Sequence, residues 1–187
     1  MKRVICMVAA LTLLSAVSGF AQLTATTGPD NTPKVGEMAP DIPLPMNDAG
    51  AKSIKDLIGK KKVLVMFFPS AFTRGCTTEF TEAGVNYDKF VAMNIEIVGI
   101  SRDLKGAQDA FKTAVGAKNL FVSDPDLKIV RNYGSVQPGS AANPTELARR
   151  NYFLIDETGK IVWKSVTGTL IPTDKLLTDL SQLKSGN

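Results

Sequence analysis

The sequence contains no histidine and only two cysteines, Cys6 and Cys76. Without an imidazole, the chain cannot be a Cys-His protease or use a histidine as a general base. Thr-Thr-Glu follows Cys76, so the Cys-x-x-Cys pair of a thiol-disulfide carrier is missing as well. A copper site built from two cysteines and a histidine is excluded for the same reason. Any cysteine chemistry must therefore rest on a single thiol.

The first 21 residues have the three parts of a secretory signal peptide, which are a basic start, an apolar stretch and a small-residue end: Lys2-Arg3, Val4–Val17 and Gly19-Phe20-Ala21. The apolar stretch is too short for a transmembrane anchor, and a lipoprotein would need a cysteine at the cleavage point. We therefore predict that residues 1–21 are a signal peptide, cleaved before Gln22. The protein is expected to be exported, either periplasmic or secreted, with no membrane segment after cleavage.

Cleavage would leave Cys76 as the only cysteine, and a lone thiol cannot form an internal disulfide. In an exported protein, an odd cysteine indicates a reactive thiol or an intermolecular bridge. The net charge of +4 is too small to indicate a nucleic-acid partner. The Lys60-Lys61-Lys62 run is best interpreted as a solvated turn before a buried strand.

We interpret residues 22–33 as a polar linker and residues 34–187 as one domain without internal repeats. Within the domain, apolar patterns predict alternating strands and helices. The predicted strands are Val63–Phe68, Ile95–Ile100, Leu120–Ser123, Tyr152–Ile155 and Ile161–Val166. The predicted helices are Thr77–Val91, Leu104–Val115, Asp126–Tyr133 and Thr173–Leu183. A loop is expected over Gly134–Pro144, and Asp156–Gly159 predicts a hairpin turn. This order indicates an α/β, thioredoxin-like fold, with a central mixed sheet flanked by helices.

Cys76 follows the first buried strand at the expected start of a helix, where unpaired N–H groups and the helix dipole favour a thiolate. Pro69 would end the strand, Thr73 could turn its hydroxyl toward the sulfur, and Gly75 would allow close approach of the backbone. Each residue also has an ordinary interpretation. Proline and glycine are common in strand-to-helix turns, Thr73 could cap the helix, and Cys76 could be an inert buried residue.

The pattern Pro69-x-x-x-Thr73-x-x-Cys76 resembles the active-site motif of the peroxiredoxins, the alkyl hydroperoxide reductase and thiol-specific antioxidant family. Phe67-Phe68 and Glu79 fit the flanks of the motif. Further segments that resemble the family are Ala39-Pro40-Asp41-Ile42-Pro43-Leu44, Val98-Gly-Ile-Ser101 and Ser123-Asp-Pro-Asp126. The family's catalytic arginine precedes a Phe-x-Ile-Asp strand by three residues, which implies Arg150. Strand alternation would turn Arg149 to the other face, so we interpret Arg149 as a surface charge.

This resemblance implies a thiol-dependent peroxidase in which Cys76 attacks a hydroperoxide and becomes a sulfenic acid, without a metal or cofactor. Arg150, Thr73 and helix N–H groups would stabilise the transition state. Glu79 would orient the arginine, or be an ordinary acid in the first turn of the helix; both interpretations stay open. Since no second cysteine follows Ala21, the enzyme resembles a 1-Cys type that needs an external reductant, a small thiol or a thioredoxin-like protein. A homodimer is expected by analogy. The alternative function is a non-enzymatic redox sensor or interaction module that acts through oxidation of Cys76.

Overall fold

The structure is a computed structural model that describes residues 30–44 and 52–183. The predicted signal peptide and the linker up to residue 29 lie outside the described residues. The last linker residues contact the domain, because Asp30 pairs with Lys164 at 2.7 Å and Thr32 is buried. No helix of the described part is long and apolar enough to cross a membrane.

The described residues form seven strands and five α-helices. The strands are β1 (Lys62–Phe67), β2 (Ile95–Ser101), β3 (Leu120–Ser123), β4 (Val136–Gln137), β5 (Leu147–Ala148), β6 (Tyr152–Ile155) and β7 (Ile161–Ser165). The helices are α1 (Arg74–Val85), α2 (Tyr87–Ala92), α3 (Lys105–Ala114), α4 (Lys128–Asn132) and α5 (Thr173–Ser181), with a 3-10 turn at Ile54–Asp56.

The main sheet has the strand order β3-β2-β1-β6-β7. β1, β2 and β3 are parallel, whereas β6 is antiparallel to β1 and to β7. β1 is central and apolar on both sides, because successive side chains of a strand point to opposite faces and both faces are covered. The predicted α/β fold with a mixed sheet and the β6–β7 hairpin are both confirmed.

Alternate residues of β1 separate two core layers. Val63, Val65 and Phe67 pack with α4 and the amino-terminal segment, including Ile42 and Ile54. Leu64 and Met66 pack with α1, α2, α3 and α5 on the opposite face of the sheet. Cys76 belongs to this second layer, together with Phe80 and Phe111. Cys76 is therefore packed into the core rather than displayed on a surface loop.

Several element boundaries differ from the sequence-based predictions, most clearly those of the first helix. The helix predicted to begin at Thr77 begins at Arg74, so Cys76 lies inside its first turn. It is also interrupted at Asn86, which lies between α1 and α2 and whose side-chain amide donates to the Glu82 carbonyl at 2.9 Å. The paired strands β4 and β5 were not predicted, because two-residue strands carry no periodic pattern.

Candidate active site

The loop between β1 and α1 brings Cys76 to the carboxyl end of the central strand. In open α/β sheets, this is the edge at which reactive groups gather. Cys76 is the third residue of α1, and its side chain has 0% of its surface exposed. Helix geometry leaves the first four N–H groups without intrahelical partners, so the sulfur lies beside the positive end of the helix dipole.

Arg150 contacts the sulfur directly. Its Nη2 donates to Cys76 Sγ at 3.1 Å, and Nη1 of the same guanidinium donates to Glu79 Oε2 at 3.3 Å. Arg150 is itself buried, with 8% of its surface exposed. Screening by water is weak in such a setting, so the cation stabilises negative charge on the sulfur. One guanidinium therefore holds the thiol and the carboxylate together.

Glu79 lies one turn after Cys76 on α1 and is only 2% exposed. Its Oε2 accepts from Arg150, and its Oε1 accepts from the hydroxyl of Tyr152. Burial raises the pKa of Glu79 to about 7, although the Arg150 charge and the Tyr152 hydrogen bond both act to lower it. Of the two interpretations left open for Glu79, its contacts match the one that pairs it with an arginine.

Three motif residues surround the sulfur without bonding to it. The Thr73 hydroxyl donates to the Ser70 carbonyl at 3.0 Å instead of turning to Cys76, and it makes no helix cap. The Thr73 carbonyl accepts the first helical N–H, from Thr77. Pro69 follows β1, as expected, and is partly buried. A Cβ added to Gly75 would lie 3.4 Å from Arg150 Nη2, so the glycine leaves the guanidinium room beside the helix.

Asp103 fixes the loop that carries the motif, and sequence reasoning missed it. Its Oδ1 accepts from the Ser70 hydroxyl at 2.9 Å, and its Oδ2 accepts from Ala71 N at 2.8 Å and from the Ser101 hydroxyl at 2.7 Å. Asp103 comes just after β2, and the carboxyl ends of parallel strands meet at one edge of the sheet. That placement is the signal from which it could have been predicted.

Tyr152 is a second residue that sequence reasoning missed. Its buried hydroxyl donates to Glu79 and accepts from Ile171 N at 3.2 Å. Arg150 and Tyr152 are two positions apart, the spacing that places side chains on one face of an extended chain. Arg149, between β5 and Arg150, reaches elsewhere, since its Nη2 donates to the Thr167 carbonyl at 3.3 Å.

The model of the AhpC/TSA family matches residues 35–164. That match covers well over half of the chain. The chain belongs to the AhpC/TSA family of peroxiredoxins.

Named peroxiredoxins are also similar in sequence. Peroxiredoxin bcp1 of Schizosaccharomyces pombe is 31% identical over 147 residues, which cover 78% of this chain and 73% of the relative. Peroxiredoxin Bcp of Escherichia coli is 31% identical over 132 residues, which cover 70% of this chain and 84% of the relative. The protein is accordingly a thiol-dependent peroxidase, an oxidoreductase, and the family implies a peroxide substrate and a thiol reductant.

Solved peroxiredoxins share the fold. The reduced 2-Cys peroxiredoxin of Plasmodium vivax superimposes with a TM-score of 0.66 at 26% identity, covering 79% of this chain and 94% of the other. Peroxidoxin BcpB of Mycobacterium tuberculosis gives a TM-score of 0.69 at 24% identity, covering 81% and 99%. The predicted peroxiredoxin family and thioredoxin-like fold are thereby confirmed. Among residues 30–44 and 52–183, no group of three or more histidine, cysteine, aspartate or glutamate side chains could hold a metal ion.

Proposed function

We propose that Cys76 is the peroxidatic residue and reduces hydrogen peroxide and organic hydroperoxides through a sulfenic acid. The thiolate attacks one oxygen of the peroxide, so that an S–O bond forms as the O–O bond breaks. Sulfur is oxidised, the peroxide is reduced, and the leaving oxygen takes up a proton to become water or an alcohol. The contact of Arg150 Nη2 with Cys76 Sγ at 3.1 Å is the observation that carries this proposal.

Charge movement explains why Arg150 suits this reaction. In the transition state, negative charge moves from the sulfur onto the leaving oxygen. A cation fixed beside both positions stabilises the transition state without having to reorganise. Cys76 lies in the first turn of α1, where N–H groups without intrahelical partners are available to stabilise the same charge. Thr73 supports the site by holding the Ser70 carbonyl, and its hydroxyl becomes a donor to substrate if it turns away from that carbonyl.

Regeneration of the thiol is proposed to follow a 1-Cys cycle. Cys76 is the only cysteine in the described residues, and Cys6 belongs to the predicted signal peptide. A first external thiol condenses with the sulfenic acid, releasing water and leaving a mixed disulfide, and a second thiol releases Cys76. The reductant is a small thiol or a thioredoxin-like protein. A sulfenic acid that is not reduced in time is exposed to overoxidation.

Export and assembly belong to the same proposal. Residues 1–21 support export to the periplasm or beyond, and the peroxiredoxin family supports a homodimer by analogy. Sequencing the amino terminus of protein isolated from its source cells should find Gln22 first. A start at Met1 would refute cleavage. Sedimentation of the purified protein should give twice the mass of one chain, and a monomer would refute the dimer.

A rapid-mixing experiment tests the chemistry. The protein is mixed with hydrogen peroxide, and Trp163, which packs against the same core layer as Cys76, reports the reaction by fluorescence. Mass spectrometry with a sulfenic-acid trap then identifies the product at Cys76. We expect fast oxidation of Cys76, far above the rate of free cysteine. A rate no greater than that of free cysteine would refute the peroxidatic assignment.

Adding reductants completes the test. Small thiols and a thioredoxin system are added separately to the oxidised protein, and consumption of peroxide is followed over many equivalents. Sustained turnover with either reductant supports the peroxidase cycle. Fast oxidation that stalls after one equivalent with both would favour the alternative function, a sensor acting through oxidised Cys76.

A further inference from the structure

The hydroxyl of Tyr152 links the carboxylate of Glu79 to the backbone of the segment before α5. It accepts a hydrogen bond from Ile171 N at 3.2 Å and donates its own hydrogen to Glu79 Oε1. A phenol has a single hydrogen to donate. Because a backbone N–H can only donate, the phenol hydrogen is left for Glu79.

This donor pattern specifies the charge state that the site accommodates. Glu79 accepts from Arg150 on Oε2 and from Tyr152 on Oε1, so both of its oxygens receive hydrogens. A protonated carboxyl would have to direct its own hydrogen at one of these donors, leaving that donor without an acceptor in a buried site. The contacts therefore fit an ionised Glu79.

Burial opposes this charge state. Desolvation raises the pKa of Glu79 to about 7, and the contacts with Arg150 and Tyr152 act against that rise. The two donors therefore hold the carboxyl ionised against its own desolvation, and removal of either donor favours the protonated form. Tyr152 itself is not a competing anion, because burial and the neighbouring carboxylate raise its pKa.

The charge on Glu79 matters for Cys76 because both groups use the same guanidinium. Arg150 is the charged side chain paired with Glu79, whereas Glu82, one turn further along α1, accepts from Thr173 N at 3.4 Å. The buried residues of α5, Thr173, Leu176 and Leu180, carry no ionisable side chain. An ionised Glu79 pairs with Arg150, which fixes the orientation of the guanidinium but weakens its stabilisation of a thiolate at Cys76. With a neutral Glu79, Arg150 stabilises the thiolate more strongly, but the guanidinium is held less firmly in place.

We propose that Tyr152 is a positioning residue that keeps Glu79 ionised and aligned on Arg150, and thereby sets how much of the Arg150 charge is available to the Cys76 thiolate. The inference rests on the proposed peroxidatic role of Cys76. It goes further than that role, because it makes Tyr152 a determinant of the pH at which Cys76 ionises.

The test measures the thiolate without any peroxide. Thiolate absorbance in the far ultraviolet is followed against pH, and the spectrum of Cys76→Ser is subtracted so that Cys76 alone is reported. In Tyr152→Phe we expect the midpoint of thiolate formation to fall by about one pH unit, because Glu79 takes up a proton and Arg150 serves the sulfur alone. Oxidation by hydrogen peroxide should nevertheless slow by about tenfold, because Arg150 is less well fixed.

A merely structural role gives a different result. Loosened packing would weaken the contact between Arg150 and Cys76 and raise the midpoint. An unchanged or raised midpoint in Tyr152→Phe would therefore overturn the proposal. Tyr133→Phe is the matched control, since it removes another buried hydroxyl, bonded to the Pro40 carbonyl on the opposite face of the sheet. In Tyr133→Phe, the midpoint of thiolate formation and the rate of oxidation by hydrogen peroxide should both equal those of the wild type.

A double-mutant cycle tests the route through Glu79. Glu79→Gln should lower the midpoint as Tyr152→Phe does, and adding Tyr152→Phe to Glu79→Gln should lower it no further. If Tyr152→Phe lowered the midpoint equally in the wild type and in Glu79→Gln, the proposal would be overturned. Difluorotyrosine at position 152 keeps the ring and strengthens the donor, so it should raise the midpoint even if the phenylalanine variant does not fold. Slow peroxide oxidation of the wild type would refute the proposed function but leave these titrations valid.

Discussion

Arg150 donates from Nη2 to Cys76 Sγ at 3.1 Å, although 74 positions of sequence separate the two residues. Nη1 of the same guanidinium donates to Glu79 Oε2 at 3.3 Å and lies 3.9 Å from the sulfur, so one guanidinium bridges the thiol and the carboxylate. A planar fork can make both contacts at once, whereas an ammonium group is a single point charge. This geometry makes the identity of the side chain at position 150, and not only its charge, important for the site.

The first prediction concerns Arg150→Lys. A lysine carries all of its donors on one nitrogen and lacks the planar fork that reaches the sulfur and the carboxylate from separate nitrogens. The rate of Cys76 oxidation by hydrogen peroxide should therefore fall by about a hundredfold, close to the loss in Arg150→Ala. Stopped-flow fluorescence of Trp163 measures the rate. Arg149→Lys is the control and should react as the wild type does. Activity of Arg150→Lys within about twofold of the wild type would contradict the bridging role.

The second prediction concerns stability and pH. Burial raises the pKa of Glu79 from its ordinary 4.5 to about 7. Between these pH values the unfolded chain has released its proton while the folded chain still holds one. The raised pKa therefore lowers the free energy of unfolding progressively as pH rises toward 7, by at most about 3 kcal/mol.

Glu79→Gln removes this effect. The difference in unfolding free energy between the variant and the wild type should shift in favour of the variant as pH rises from 4.5 to 7, and then stay level. Urea denaturation at a series of pH values measures it. Glu82→Gln, on the same helix, is the control and should show no such trend. A constant difference for Glu79→Gln would mean that burial does not perturb Glu79.

The third prediction concerns the loop that carries the motif. Asp103→Ala removes the acceptor for Ala71 N and for the hydroxyls of Ser70 and Ser101. The free energy of unfolding should fall by about 1–3 kcal/mol, and Cys76 oxidation should slow by about tenfold as the loop loosens. Denaturation and stopped-flow fluorescence measure the two effects. Asp109→Ala, at an exposed pair with Lys105, should change neither. A normal rate in Asp103→Ala would show that the loop is held by other contacts.

The fourth prediction concerns a close approach inside the core. A Cβ added to Gly99 on β2 would lie 2.9 Å from the rings of Phe121 and Phe80, which are packed against each other. Gly99→Ala should therefore lower the free energy of unfolding by about 1–3 kcal/mol. Gly106→Ala on α3 is the control, since its Cβ would meet nothing within 4 Å. Equal stability of the two alanine variants, measured by denaturation, would contradict the packing described here.

Sequence patterns predicted the elements of this protein that have a regular apolar periodicity or a strong local motif. The apolar run of β1 indicated a central buried strand, and the spacing of Pro69, Thr73 and Cys76 located the thiol. Arg150 followed from the resemblance to the peroxiredoxins, whose catalytic arginine precedes the same strand motif by three residues. The start of α1 was placed too late because Arg74 and Gly75 add nothing to an apolar pattern.

Other contacts of the site depend on tertiary structure. The sequence identified Glu79 but left its partner open, because a helix pattern does not say which strand lies opposite. Tyr152 was read only as a strand residue, and its bond to Glu79 forms because β6 pairs beside β1. Asp103 was missed because it lies beyond the end of a strand, where periodicity stops. Sequence therefore identified the residues with chemical signatures better than those that hold them in place.

The wide separation of Cys76 and Arg150 along the chain links reactivity to folding. Arg150 immediately precedes β6, which joins the sheet by antiparallel pairing with β1. Until that long-range pairing forms, Cys76 has no guanidinium beside it and behaves as an ordinary thiol. A rise in the peroxide reactivity of Cys76 during refolding would therefore report the docking of β6 against β1.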